Sequence, residues 1–84
     1  MYRVEHDPEA LAQLDALPVE ALPFYLELRA ALETAPWGFP SASATNPDGP
    51  LRSAAFGDHK RGLAFFLILE DQRRVAVVKV LWAG

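Results

Sequence analysis

The residues best suited to chemistry lie in the last third of the chain. Arg52, Lys60, Arg61, Arg73, Arg74 and Lys79 are six cations within residues 51–84, set against three carboxylates, a local balance of +3 (6 − 3). Residues 1–50 carry two arginines and eight carboxylates, −6 (2 − 8), and the two halves sum to the net −3. The arginine fork donates paired hydrogen bonds to phosphate or carboxylate oxygens. Histidine is the residue type suited to moving protons at neutral pH, and His59 lies beside Lys60. This set allows a local anion-binding surface, whereas the acidic whole gives no general attraction to nucleic acid. The same charges also read as the solvated side of strands and turns, and that alternative stands beside the first.

Other chemistries are bounded more tightly. The chain has no cysteine, so it builds neither a disulfide framework nor a thiolate metal site. His6 and His59 are far apart and show no metal-ligand spacing. His6 reads as a satisfied or surface histidine. No metal or cofactor is expected. No apolar run reaches the roughly 18 residues of a membrane span, and no basic-then-apolar leader opens the chain, so a soluble cytoplasmic protein with no membrane partner is the expectation. Eighty-four residues, 51% of them apolar, make one small domain over 1–84 of modest stability.

The elements that must position these residues follow from periodicity. Tyr2-Arg3-Val4-Glu5-His6 alternates as a short opening strand, with Tyr2, Val4 and His6 on one face. Asp7-Pro8-Glu9 starts a helix, with Asp7 at the cap, Pro8 at the first position and Glu9 toward the positive end of the dipole. Leu11, Leu14 and Leu17 form its buried stripe, and Leu17-Pro18 breaks it. A second helix runs to about Thr34, with Leu22, Tyr25, Leu26, Leu28 and Leu32 as its apolar face. Arg29 and Glu33 are spaced to pair. Pro23 kinks this helix if it begins at Val19 and leaves it straight if Pro23 lies in the first turn. Residues 36–50 form a Pro/Gly-rich loop, with Asn46-Pro47-Asp48-Gly49 as a turn and Trp37 and Phe39 as anchors plugging the end of the core.

Three strands follow. Leu51–Phe56 is weak, and the charged turn of residues 57–62 leads into Gly62–Leu69, apolar on both faces as a central strand requires. Glu70-Asp71-Gln72-Arg73 turns into Arg74–Trp82. Simple alternation there puts Val75, Val77, Lys79 and Leu81 on one face and Ala76, Val78, Val80 and Trp82 on the other. The order β-α-α-β-β-β implies a two-layer α+β fold, with a helical hairpin on one face of a mostly antiparallel four-stranded sheet. The other face is expected to be partly open, with most of the basic residues near it.

This order, with several short motifs, resembles the RelE/ParE superfamily of bacterial toxins from type II toxin–antitoxin pairs. The motifs are Tyr2-Arg3-Val4, Asp7-Pro8-Glu9-Ala10, Leu17-Pro18, Pro47-Asp48-Gly49-Pro50-Leu51-Arg52, Phe56-Gly57-Asp58 and the run Val75–Trp82, which together cover nearly the whole chain. The resemblance implies a cognate antitoxin as partner. In RelE-like members it also implies ribosome-dependent, metal-independent cleavage of messenger RNA, part of a bacterial stress response. There a 2′-hydroxyl attacks the adjacent phosphate, fixed cations stabilise the developing charge, and a titratable group moves the proton.

By the same resemblance, Arg52 falls close to the family's basic residue on the second strand, and Arg61, with Lys60 beside it, close to the one at the start of the third. Arg52, Arg61 and His59 are thus the catalytic candidates. Lys60, Arg73, Arg74, Lys79 and Trp82 are candidates for contact with RNA or a protein target. For each charge the alternative is an edge or turn residue that deters sheet aggregation. Trp82 stacks on a base or packs at the sheet edge. RelE-like nucleases continue past the fourth strand into a tail bearing further catalytic groups, whereas only Ala83 and Gly84 follow Trp82 here. The resemblance therefore leaves three expectations open: an RNA-cleaving toxin, a ParE-like non-enzymatic inhibitor of a target such as DNA gyrase, and a non-toxic relative serving as a binding partner or homodimer.

Overall fold

The elements run in the expected order: β1 (Arg3–His6), α1 (Pro8–Asp15), a 3-10 turn at Val19–Ala21, α2 (Leu22–Thr34), β2 (Leu51–Phe56), β3 (Gly62–Leu69) and β4 (Arg74–Trp82). The computed structural model describes all residues, Met1–Gly84. Asp7 occupies the N-cap of α1 in an extended conformation, but its side chain makes no capping hydrogen bond, so Pro8 and backbone geometry set the start. Pro23 lies in the first turn of α2. Its missing N–H would have no intrahelical partner there, so it does not kink the helix.

The helices bury narrower stripes than their apolar residues suggest. Ala10 is the fully buried residue of α1, while Leu11 is half exposed and Leu14 and Leu17 are partly buried against the core. A three-residue spacing drifts about 60° per step around a helix, so Leu11, Leu14 and Leu17 cannot all face the sheet. The helix also ends at Asp15, before Leu17. On α2, Tyr25, Leu28 and Leu32 are buried and Leu22 and Leu26 are exposed. Arg29 and Glu33 form no ion pair; the four ion pairs lie elsewhere.

The sheet order is β1-β4-β3-β2, with β1 and β4 parallel and the other pairs antiparallel. This is the expected two-layer α+β architecture, with β3 interior. Val4, Ala54, Phe56, Ala64, Phe66, Ile68, Val75, Val77 and Val80 face the helices in a single core, each buried. Full burial of a side chain such as Phe66 contributes about 1.5–3 kcal/mol.

A β-bulge corrects the simple alternation of β4. Phe65 pairs with Lys79 and Phe66 with Val77, leaving Val78 as the extra residue. One inserted residue reverses the parity of everything beyond it. Val80 therefore joins Val75 and Val77 in the core, while Lys79 and Leu81 turn to the opposite face. Gln13 of α1 accepts the Val80 N–H at 2.6 Å, tying the helix to the strand just past the bulge.

The 36–50 segment is more ordered than a free loop. Its expected turn closes with the Gly49 N–H donating to the Asn46 carbonyl at 3.0 Å. Pro40–Ala42 runs beside β2: the Ala42 N–H donates to the Leu51 carbonyl at 2.9 Å, and the Ser53 N–H to the Pro40 carbonyl at 3.1 Å. Phe39 packs edge-on against Phe66 and is the anchor expected of it. Trp37 does not plug the core. It is 39% exposed and lies on the surface.

Candidate functional site

The sheet does not gather the candidate residues at one place. Arg52 pairs across the ladder with Phe66, and the other end of the same ladder pairs Phe56 with Gly62, next to Arg61. At about 3.3 Å per residue, Arg52 and Arg61 are separated by roughly 15 Å of strand. His59 accompanies Arg61, Arg73 and Arg74 sit at the far end of β3, and Lys79 stands between the two ends on the open face.

Arg52 faces the helix side of the sheet rather than solvent and is only 8% exposed. Its Nε–H donates to the Gly49 carbonyl at 2.8 Å and its Nη1–H to the Phe39 carbonyl at 3.0 Å. The guanidinium also lies over the Trp37 ring, 4.9 Å from the centroid. Arg52 thus clamps both ends of the loop, and two of its donors are committed to that task.

Trp37 carries the network onward. Its indole N–H donates to Glu70 Oε1 at 2.7 Å, the Tyr2 hydroxyl donates to the same oxygen at 2.6 Å, and Arg73 Nη1 donates to Glu70 Oε2 at 2.8 Å. Arg73 also covers the Tyr2 ring at 4.5 Å. The hydrogen bond from Tyr2, then those from Trp37 and Arg73, hold the Glu70 carboxyl down at about 2, while Tyr2 is pushed up chiefly by the same bond. Arg73 is therefore spent on a structural carboxylate. Arg74 is similarly engaged, by Glu5 at 2.7 Å and by the Gln72 side chain. Tyr2, Trp37 and Glu70 were not singled out together from sequence. Tyr2 and Glu70 are 68 residues apart, and no local pattern links them.

At the opposite end, Gly57 turns the chain with φ +89°, and His59 and Lys60 follow with φ +56° and +55°. Positive φ in two consecutive non-glycine residues is uncommon and strained. A Cβ on Gly57 would stand 2.8 Å from the Trp82 ring, so glycine is required for contact as well as for conformation. Arg61 pairs with Asp58 at 2.9 Å and lies over the Trp82 ring at 4.7 Å, while Phe56 packs against the same ring at 5.9 Å. Trp82 thus packs at the sheet end against Phe56 and Arg61. The Arg61 bond is the main cause of the lowered Asp58 carboxyl. His59 and Lys60 are exposed on this turn, with no side-chain hydrogen bond. His6 belongs to neither end. Its Nε2 lies 2.7 Å from the Tyr25 hydroxyl, and burial, with Arg29 nearby, lowers it, while burial raises Tyr25 to about 12.

The open face of the sheet departs most from expectation. By ladder pairing it presents Ala55-Leu63-Leu81, Ser53-Phe65-Lys79 and Leu51-Leu67-Ala76 in successive rows, ending at Leu69-Arg74. No helix covers it. Lys79 is exposed and in no ion pair, and it is the single charge in the first three rows across β2, β3 and β4. The basic residues expected near this face are instead on the helix side, at the ends of the sheet, or paired with carboxylates. The reason is the parity of β2: Arg52 shares a face with Ala54 and Phe56, both core residues. No group of His, Asp and Glu stands together as a metal site, and no helix is long and apolar enough to cross a membrane.

No protein-family model matches the sequence, and no curated protein does. Solved structures do match. The isolated E. coli RelE toxin superposes with a TM-score of 0.73 at 16% identity, over 100% of this chain and 86% of that one. A chain of the archaeal RelE–RelB complex from Pyrococcus horikoshii OT3 superposes with a TM-score of 0.68 at 18% identity, over 99% of this chain and 96% of that one. With the helix pair, the mixed sheet and its order already in place, the chain has the fold of the RelE toxins.

Proposed function

We propose that this protein is the toxin of a toxin–antitoxin pair of the RelE/ParE type, and that it acts by occupying a protein target rather than by cutting RNA. The observation that carries this reading is the open sheet face, which across β2, β3 and β4 is an apolar grid with Lys79 as its unpaired charge, while Arg3, Glu5 and Arg74 at the β1 side of that face pair with one another. Cleaving a phosphodiester needs several cations and a proton carrier converging on one phosphate. Here Arg52 is committed to backbone carbonyls and lies roughly 15 Å of strand from Arg61 and His59. An apolar surface with one unpaired cation suits a protein partner that brings an apolar strip and a carboxylate. The RelE–RelB complex among the similar structures supports an antitoxin as one such partner. DNA gyrase is the target class to test first.

The experiment is expression of the chain with and without the neighbouring reading frame, scoring growth, transcript integrity and gyrase supercoiling by purified protein. The expected result is growth arrest relieved by co-expression, with transcripts intact and Lys79→Glu relieving the arrest. Transcript cleavage that disappears in Arg61→Ala or His59→Ala would overturn the binding reading in favour of the nuclease. Loss of supercoiling inhibition in a folded Lys79→Glu variant would assign the target.

A further inference from the structure

The two edges of the sheet are protected very differently. The β1 edge is four residues long, carries Arg3 and Glu5, and is closed at one end by the Tyr2 N–H donating to the Glu33 carbonyl at 2.8 Å. The outer edge of β2 is covered by Pro40–Ala42 only as far as Ser53. The remaining stretch, Ser53-Ala54-Ala55-Phe56-Gly57, holds no charge and no proline, the devices that ordinarily blunt an edge. Arg52, Ala54 and Phe56 direct their backbone groups to β3, so Ser53, Ala55 and Gly57 face outward. The Ser53 carbonyl, both groups of Ala55 and the Gly57 N–H have no backbone partner. Beside them lies an apolar groove between α2 and β2, lined by Phe24, Leu28, Ala31, Phe39 and Phe56, with exposed Glu27 at its rim.

We infer that this edge pairs with the same edge of a second copy, antiparallel about a two-fold axis at Ala55. The inference goes beyond the functional reading above and does not depend on it. The free groups are their own complement under that symmetry. Ala55 exchanges two hydrogen bonds with its mate, and each Gly57 N–H donates to the opposite Ser53 carbonyl. The ends of the stretch also fit one another. The next residue, Asp58, would oppose Arg52, where Ser41 already occupies the edge. The positive-φ turn at Gly57 takes the chain away one residue before that collision. A longer foreign strand would meet Pro40 instead. The facing side chains are Ala55 with Ala55, Ser53 with Gly57 and Ala54 with Phe56, with no charge among them.

Such an axis keeps both helix layers on one side of an eight-stranded sheet and brings the two grooves together, covering Phe24, which is 37% exposed in the single chain. The five-residue stretch 53–57 and the groove beside it make a small interface, below the roughly 20–30 residues a side of standard specific interfaces, so the dimer is concentration-dependent. The two Glu27 carboxylates approach each other at the groove rim, and their repulsion opposes it.

Sedimentation equilibrium over micromolar to millimolar protein, with circular dichroism to verify folding, tests the inference. The wild type should move from the monomer to twice its mass. Ala55→Pro removes the outward N–H, and Ala55→Lys sets two like charges at the axis; either should leave a folded monomer. Glu27→Gln should tighten the dimer several-fold. A wild type that stays monomeric throughout, or a dimer unchanged in both Ala55 variants, overturns the assignment. So does a monomer that pairs one-to-one with the antitoxin through an Ala55-dependent contact, which would give this edge to a different partner.

Discussion

Arg52→Ala separates a structural arginine from a catalytic one. The wild-type side chain is 8% exposed, donates to the Gly49 and Phe39 carbonyls at 2.8 and 3.0 Å, and stacks on Trp37 at 4.9 Å. Hydrogen bonds from a charged donor contribute about 1.5–3 kcal/mol each, and a partly exposed cation–π contact about 0.5–1 kcal/mol. Allowing for relaxation of the loop and entry of water to the freed carbonyls, the substitution should cost about 3 kcal/mol. For a domain with about 4–13 kcal/mol in total this is a large share. At about 4–8 °C per kcal/mol the melting temperature should fall by about 12–24 °C. Thermal and urea unfolding followed by circular dichroism measure it directly. Arg52→Lys should recover only part of the loss, because an ammonium does not fork to two carbonyls and stack at once. A variant that melts within about 2 °C of the wild type, yet loses growth arrest, would refute the clamp and restore Arg52 to the chemistry.

The remaining predictions concern the two ends of the sheet. Glu70 is held at about 2 against an ordinary 4.5 by Tyr2, Trp37 and Arg73. A carboxyl lowered by folding stabilises the fold above its ordinary value, and that contribution is lost as pH falls from about 4.5 through about 2. Urea midpoints measured against pH should therefore decline over that window in the wild type and decline less in Glu70→Gln; identical profiles would contradict the network. Gly57→Ala forces a Cβ to 2.8 Å from the Trp82 ring at φ +89°, and should cost about 2–3 kcal/mol in thermal unfolding. A neutral effect would mean the turn reorganises freely.

Much of the fold was legible in the sequence because its signals are local. Asp7-Pro8, Leu17-Pro18, the Asn46–Gly49 turn and the apolar runs 62–69 and 74–82 each act within a few residues, and each lies where expected. Their order implied the two-layer α+β architecture that the similar structures share. Which residues are basic, and that residues 51–84 carry most of them, was equally plain.

The faces those residues occupy were decided only by the tertiary structure. Val78 looks like any other apolar residue of its strand, yet as the bulge it sends Val80 inward and Lys79 outward. Arg52 reads as a surface cation until its ladder partner, Phe66, places it on the core side. Tyr2, Trp37, Glu70 and Arg73 meet because β1 lies beside the start of β4 and the loop folds back over it, at separations no periodicity spans. Strand parity and long-range pairing are properties of the assembled sheet. Charge and periodicity therefore determined what this chain could form, while register determined that its open face is largely apolar across β2, β3 and β4 and that its cations are dispersed.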